Sequence, residues 1–205
     1  MIEYAISKDA IIIAPDYRLI PEATGADIVD DVEAFWVWLK GFLPSFAQSN
    51  LWTAQPDLSQ ILCVGQSAGG CLAVQSALIH PELNIKAIIS LYAPLEWKVR
   101  SFTVPHPRRI LGTMPPVPRK AEALIRSHIK KTKGTVRTTG DPAEMWELLL
   151  CMLQQGRVPS FMMARPDPRL DIMGLLKQVK QLPPLWIIHG KDDSVVRSPY
   201  VQNLS

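Results

Sequence analysis

Gly65-Gln66-Ser67-Ala68-Gly69-Gly70 is the segment of this 205-residue chain whose residue types and spacing point most directly to chemistry. A serine in a GxSxG pattern, lying between an apolar run at 61–64 and a helix-patterned stretch at 68–80, describes a nucleophile elbow. The strand-to-helix turn is expected to be so tight that a side chain at either flanking glycine would clash. The serine is then held in a strained backbone conformation with its Oγ exposed. The helix that follows points its first N–H groups at the site, and the Ala68 N–H would be one donor of an oxyanion hole. The pentapeptide alone also suits a Gly/Ser-rich phosphate-binding turn or a plain strand–helix connector. The strand before it and the helix after it favour the elbow.

The flanking elements form an alternating series. Apolar runs at 10–14, 61–64, 85–91 and 185–188 read as strands buried on both faces. Ile28, Val29, Val32, Phe35, Trp36 and Leu39 recur at helical spacing across 27–40, and Gly41 stops the pattern. Gly69, Ala73 and Ala77 form a small-residue stripe that lets the 68–80 helix lie close to a sheet. Strand, helix, strand, helix, strand implies right-handed crossovers and a mostly parallel sheet with flanking helices, an α/β fold. Residues 97–170 break the alternation with Pro-rich connectors and a basic stretch (Lys130, Lys131, Lys133, Arg137) that reads as a solvated loop. They also hold a helix opened by Asp141-Pro142-Ala143-Glu144, given an apolar face by Met145, Leu148, Leu149, Met152 and Leu153, and ended by Gly156. The expected division is a core of 1–96 and 171–205 with a helical insertion at 97–170.

Asp16-Tyr17-Arg18-Leu19-Ile20-Pro21-Glu22 resembles the DYRLAPE block of the hormone-sensitive-lipase-like esterases, the α/β-hydrolase fold-3 family. GQSAGG stands where that family has GDSAGG, and His189-Gly190-Lys191-Asp192-Asp193 resembles its HGxxD segment. The three blocks occur in the family's order and cover most of the chain. The resemblance implies a serine hydrolase of carboxylic esters that works through an acyl-enzyme, on a small apolar ester or a specialised metabolite. It makes Ser67 the nucleophile and Asp193 the acid that orients a histidine, with the adjacent Asp192 as the alternative acid. It also makes 97–170 part of a cap or lid. Gln66 in place of the family's aspartate can hydrogen-bond a neighbouring loop but carries no charge. Arg18 between Asp16 and Glu22 reads as a structural ion-pair network.

Two parts of the family pattern have no match: the HGGG block that completes the oxyanion hole, and a histidine after Asp193. Of the four histidines, His189 reads as a strand-end structural residue and His80 as a helix-end cap, while His106 and His128 lie in the insertion. The chain is therefore expected to be a partial one, incomplete at both ends, with open sheet edges and uncovered apolar surface. It is also expected to be inactive by itself, because a serine without a base is an ordinary alcohol. The alternatives are a receptor-like ligand-binding protein that has lost turnover, and a non-functional truncated product. Phe161, Met162, Met163, Met145 and Met152 suit either an acyl pocket or plain core, and core is the commoner use.

Composition narrows the rest. Twenty-two basic and 19 acidic side chains net +3, too little to argue for nucleic acid or a membrane surface as partner. No apolar run approaches the length of a bilayer span. Cys63, Cys71 and Cys151 have no CxxC spacing and read as reduced and buried, which favours a cytoplasmic protein, as does the lack of a secretory pattern at 1–10. HExxH, paired CxxC, GxGxxG and P-loop patterns are all missing, so no metal and no cofactor is expected.

Overall fold

The computed structural model describes residues 2–106 and 108–196. The chain opens with α1 (Ile2–Ile6), α2 (Gly25–Gly41) and α3 (Leu43–Ser49). Then come β1 (Ile61–Gln66), α4 (Ala68–Ile79) and β2 (Ile85–Leu91). The next segment is helical: α5 (Arg100–Thr103), α6 (Pro118–Lys131), α7 (Pro142–Gln154) and α8 (Val158–Met162). Finally α9 (Ile172–Leu176) leads into β3 (Leu185–Ile188).

The sheet runs β1-β2-β3 with both pairings parallel. Gln66 stands opposite Leu91, and Leu91 opposite Ile188, so all three strands end at one edge. Such an edge is where open parallel sheets place their sites. One face is covered by α4, against which α2 and α9 pack. Trp36, Cys63, Val74 and Ile88 are buried there, and Trp36 Nε1 donates to Ser76 Oγ at 3.0 Å. The other face is open: Leu62 is 55% exposed and Trp186 65%, with Val64 and Ile188 beside them in register. This is the uncovered apolar surface expected from sequence, and it corrects the reading of 61–64 and 185–188 as strands buried on both faces, since among the described residues nothing covers this one.

A second core belongs to the helical segment, where Phe102, Ile110, Ile125, Leu150 and Cys151 are buried. Met152 and Met162 are part of it, and Met145, Phe161 and Met163 pack on it. The three cysteines are free and buried, and burial pushes the Cys71 thiol up to about 12.

Three further expectations are corrected. Residues 10–14 form no strand. Ile13 packs on the core, but among the described residues no neighbouring strand offers these amides a ladder, and without a ladder an apolar run stays irregular. The basic stretch is not all loop: Lys130 and Lys131 are the last turn of the unanticipated α6. Lastly, Arg18 pairs with neither Asp16 nor Glu22. It binds Asp31 (Nε to Oδ2, 2.9 Å) and approaches Asp27 (3.7 Å) across the face of α2.

That face of α2 gathers further arginines from beyond the helical segment. Asp30 binds Arg169 at 2.7 Å, Glu33 binds Arg169 at 2.9 Å, and Arg165 reaches Asp27 at 3.4 Å. The helix itself starts with a capping box between Thr24 and Asp27. Glu22 turns the other way. Its side chain, 1% exposed, accepts from His128 Nε2 at 2.7 Å and Arg137 Nη2 at 3.0 Å. The segment before α2 is thereby tied to α6 and the loop after it.

Burial alone would raise the Glu22 carboxyl, but the hydrogen bonds from His128 and Arg137 outweigh it and hold the group below its ordinary value of 4.5. A carboxyl depressed on folding contributes stability above its unfolded pKa and loses that contribution as pH falls through the folded one. Glu22→Gln should therefore lower stability at neutral pH by roughly 1 to 3 kcal/mol. In urea denaturation, the gap between wild type and variant should close as pH drops below the ordinary carboxylate value.

Candidate active site

Ser67 alone connects β1 to α4, with φ 50° and ψ −125°. A non-glycine residue at positive φ is costly and persists only where its surroundings force it. Here the Ser67 N–H donates to Leu91 O at 2.9 Å, while Ser67 O accepts from Gly70 at 3.1 Å and Cys71 at 3.3 Å. A Cβ at Gly65 would lie 2.1 Å from the carbonyl oxygen of Gly69. One at Gly70 would lie 2.9 Å from Gly65 O and 3.0 Å from Ser90 Oγ. A Cβ at Gly69 would meet nothing within 4 Å. The expectation that both flanking glycines avoid a clash is thus corrected: Gly65 and Gly70 make the close approach, and Gly69 contributes its backbone to it.

The Ser67 side chain makes no capping hydrogen bond to its helix, and Ser67 and Ala68 are both exposed. The Ala68 N–H is the first of the α4 donors that have no intrahelical acceptor. Beside it, Tyr92 Oη donates to Gln66 Oε1 at 2.7 Å. This is the loop hydrogen bond expected of Gln66. Tyr92 itself was not anticipated, although it directly follows β2, whose last residue pairs with Gln66.

The HGxxD segment follows β3 at the same edge. With neighbouring strands about 4.8 Å apart, residues following β1 and β3 stand about 10 Å apart across the sheet. Asp193 Oδ1 accepts the N–H groups of Val195 (2.8 Å) and Val196 (2.9 Å). Its Oδ2 lies 3.4 Å from His189 Nε2. Asp192 is exposed and makes no hydrogen bond among the described residues. Ser194, also unanticipated, accepts at Oγ from the Leu111 N–H (2.8 Å), so the helical segment holds the loop that carries Asp193.

Each histidine has a partner other than Ser67. His189 Nε2 donates to Val196 O at 2.6 Å, which fits the strand-end structural reading. His128 is on Glu22, and His106 Nδ1 donates to Val104 O at 2.9 Å. His80 is the C-cap of α4, as expected, with its backbone N–H donating to Ser76 O at 2.9 Å and its ring facing the Glu82 carboxylate at 3.2 Å. Of the apolar residues weighed for an acyl pocket, Met152 and Met162 are core and Met145, Phe161 and Met163 pack against it. A cleft of about 300 Å³ between α6 and α7, lined by Leu124, His128, Lys131, Glu144 and Met145 among others, takes no residue from the elbow or the acid loop. Among the described residues no His, Cys, Asp and Glu gather as a metal site, and no helix is long and apolar enough to cross a membrane.

A family model described as alpha/beta hydrolase fold matches residues 1–198. The chain belongs to the alpha/beta hydrolase family. It is 71% identical over 196 residues to a Phoma sp. protein named probable carboxylesterase M8, covering 96% of this chain and 61% of that protein. It is 70% identical over 189 residues to probable carboxylesterase clz11 of Cochliobolus lunatus, covering 92% of this chain and 87% of that one. Over 227 aligned residues it is 24% identical to the non-reducing polyketide synthase ascC of Acremonium egyptiacum, covering 94% of this chain and 10% of the synthase. This alpha/beta hydrolase thus spans about three-fifths of the first relative and most of the second.

The two glycines of the motif should behave oppositely when given a methyl group. Gly65→Ala must displace backbone and should lower the melting temperature sharply or prevent folding. Gly69→Ala, open in space and inside a helix, should leave stability unchanged or raise it by up to about 1 kcal/mol. Paired thermal denaturation curves check both.

Proposed function

We propose that this chain carries the acylating machinery of a carboxylic ester hydrolase. The observation that carries the reading is Ser67 at positive φ on a strand-to-helix turn, with an exposed Oγ that no cap consumes. Ser67 Oγ attacks the acyl carbonyl and the C–O bond to the alcohol breaks. The alcohol leaves with a proton, and water later cleaves the acyl-serine ester to release the acid. The Ala68 N–H donates to the developing oxyanion. Asp193 Oδ2, its partner oxygen already held by two amides, is the acid that would orient a histidine base, which this chain does not supply at Ser67. Residues 97–170 act as the cap over this edge of the sheet, a reading supported by the Leu111–Ser194 hydrogen bond.

The names of the relatives support an ester as substrate, and the stretch shared with a polyketide synthase supports a specialised-metabolite acyl group. A second reading, acyl binding without turnover, is favoured by one observation: all four histidines are engaged away from Ser67. Loss of the base from a serine hydrolase costs on the order of 10⁶ in kcat.

Labelling of the folded chain with a fluorophosphonate probe tests the proposal. A slow single adduct on Ser67, lost in Ser67→Ala and unchanged in Asp192→Asn, is the expected result, because none of the four histidines stands at Ser67 to activate it. Labelling that survives Ser67→Ala would remove Ser67 as nucleophile. Reversible binding of an acyl ester with no adduct would favour the second reading.

A further inference from the structure

Residues 118–134 hold six cations, Arg119, Lys120, Arg126, Lys130, Lys131 and Lys133, against one carboxylate, Glu122. That local excess is larger than the net +3 of the whole chain. Five of the six lie on α6. Arg119, Arg126 and Lys130 are spaced by seven and four residues, which aligns them in one row; Ala123 and Ser127 flank it on one side, and on the other lies Glu122, three residues after Arg119 and four before Arg126, which pairs with Arg157. On the opposite face Ala121 and Ile125 are fully buried and Leu124 and His128 partly so, and α6 packs on α7.

All six cations are exposed, and among the described residues none forms an ion pair. Elsewhere the protein uses its arginines differently. Arg18, Arg137, Arg165 and Arg169 each bind a carboxylate, and Arg157 takes Glu122, the one acid on α6. Exposed aliphatic side chains flank the row: Leu111, Met114 and Val117 just before the helix, and Val136 just after it.

We propose that the outer face of α6 docks this chain on an anionic lipid surface. Several cations held within a Debye length of a negatively charged leaflet act together. Aliphatic residues beside them gain by entering the headgroup boundary. An acidic protein or a nucleic acid would satisfy the charge as well, but the row has no aromatic side chain on which bases could stack. A highly charged partner would also leave the flanking aliphatic residues in water. Because the apolar face of α6 is occupied by the protein's own core, attachment is peripheral and reversible. The surface is separate from Ser67, so this inference stands or falls independently of the ester-hydrolase reading.

Sedimentation of the full chain with phosphatidylcholine vesicles containing about 30% phosphatidylserine tests it, with phosphatidylcholine alone as control. Binding should require phosphatidylserine and fall about tenfold or more in Arg119→Glu/Arg126→Glu/Lys130→Glu, a variant whose circular dichroism should match wild type. A second variant, Met114→Ser/Val117→Ser, should weaken binding at unchanged charge. Equal sedimentation with both vesicle types, or no effect of charge reversal, overturns the proposal. So does tighter binding to poly-glutamate or single-stranded RNA than to the vesicles.

Discussion

The contact between the Gly65 backbone and the first turn of α4 is the constraint on which the geometry of the site depends. With a methyl group at Gly65 the approach to Gly69 O could not occur. β1 and α4 would then need a longer connection, and no residue would be forced into the conformation of Ser67. The N–H of Ser67 would also lose the Leu91 carbonyl, its link to the next strand. Strain at one residue is therefore maintained by contacts at several others. Gly70 adds to this by letting α4 settle against Ser90, whose hydroxyl donates to Gly70 O at 3.2 Å.

Polar contacts do for the helical segment what this turn does for the sheet. The pairs of α2 with Arg18, Arg165 and Arg169 are partly exposed, so each contributes modestly. Their value is in geometry, since they bring a segment before α2 and another after α8 onto one helix face. The Asp30 carboxyl is held below its ordinary range by hydrogen bonds from Arg165 and Arg169. Glu22 is a different case. It is buried with both oxygens engaged, and removing either partner would leave a desolvated charge.

Charge on this molecule is sorted by role. Acidic side chains on α2 and at Glu22 are matched by arginines that hold segments together. The cations on the outer face of α6 form no ion pair among the described residues. A net charge near zero hides this division, because the sum reports neither where charges lie nor which are already neutralised.

What the sequence determined by itself is what local spacing encodes. β2 and β3 were legible as continuous apolar runs, α2 and α7 as helical periodicities with caps, and Ser67 as a GxSxG serine between a strand and a helix. Asp193 was legible only through resemblance; what the fold adds is that Asp193, and not Asp192, accepts the N–H groups of Val195 and Val196. Tertiary structure also decided matters that depend on distant partners. Residues 10–14 have a strand's composition but no ladder to join. Arg18 found Asp31, and Glu22 found His128 more than a hundred positions away. Gly69 proved open where Gly70 is tight, since a clash depends on what packs opposite and not on the motif's own letters. Periodicity and turn chemistry act between near neighbours along the chain, whereas ladders, ion pairs and close contacts are chosen only when the chain folds back on itself.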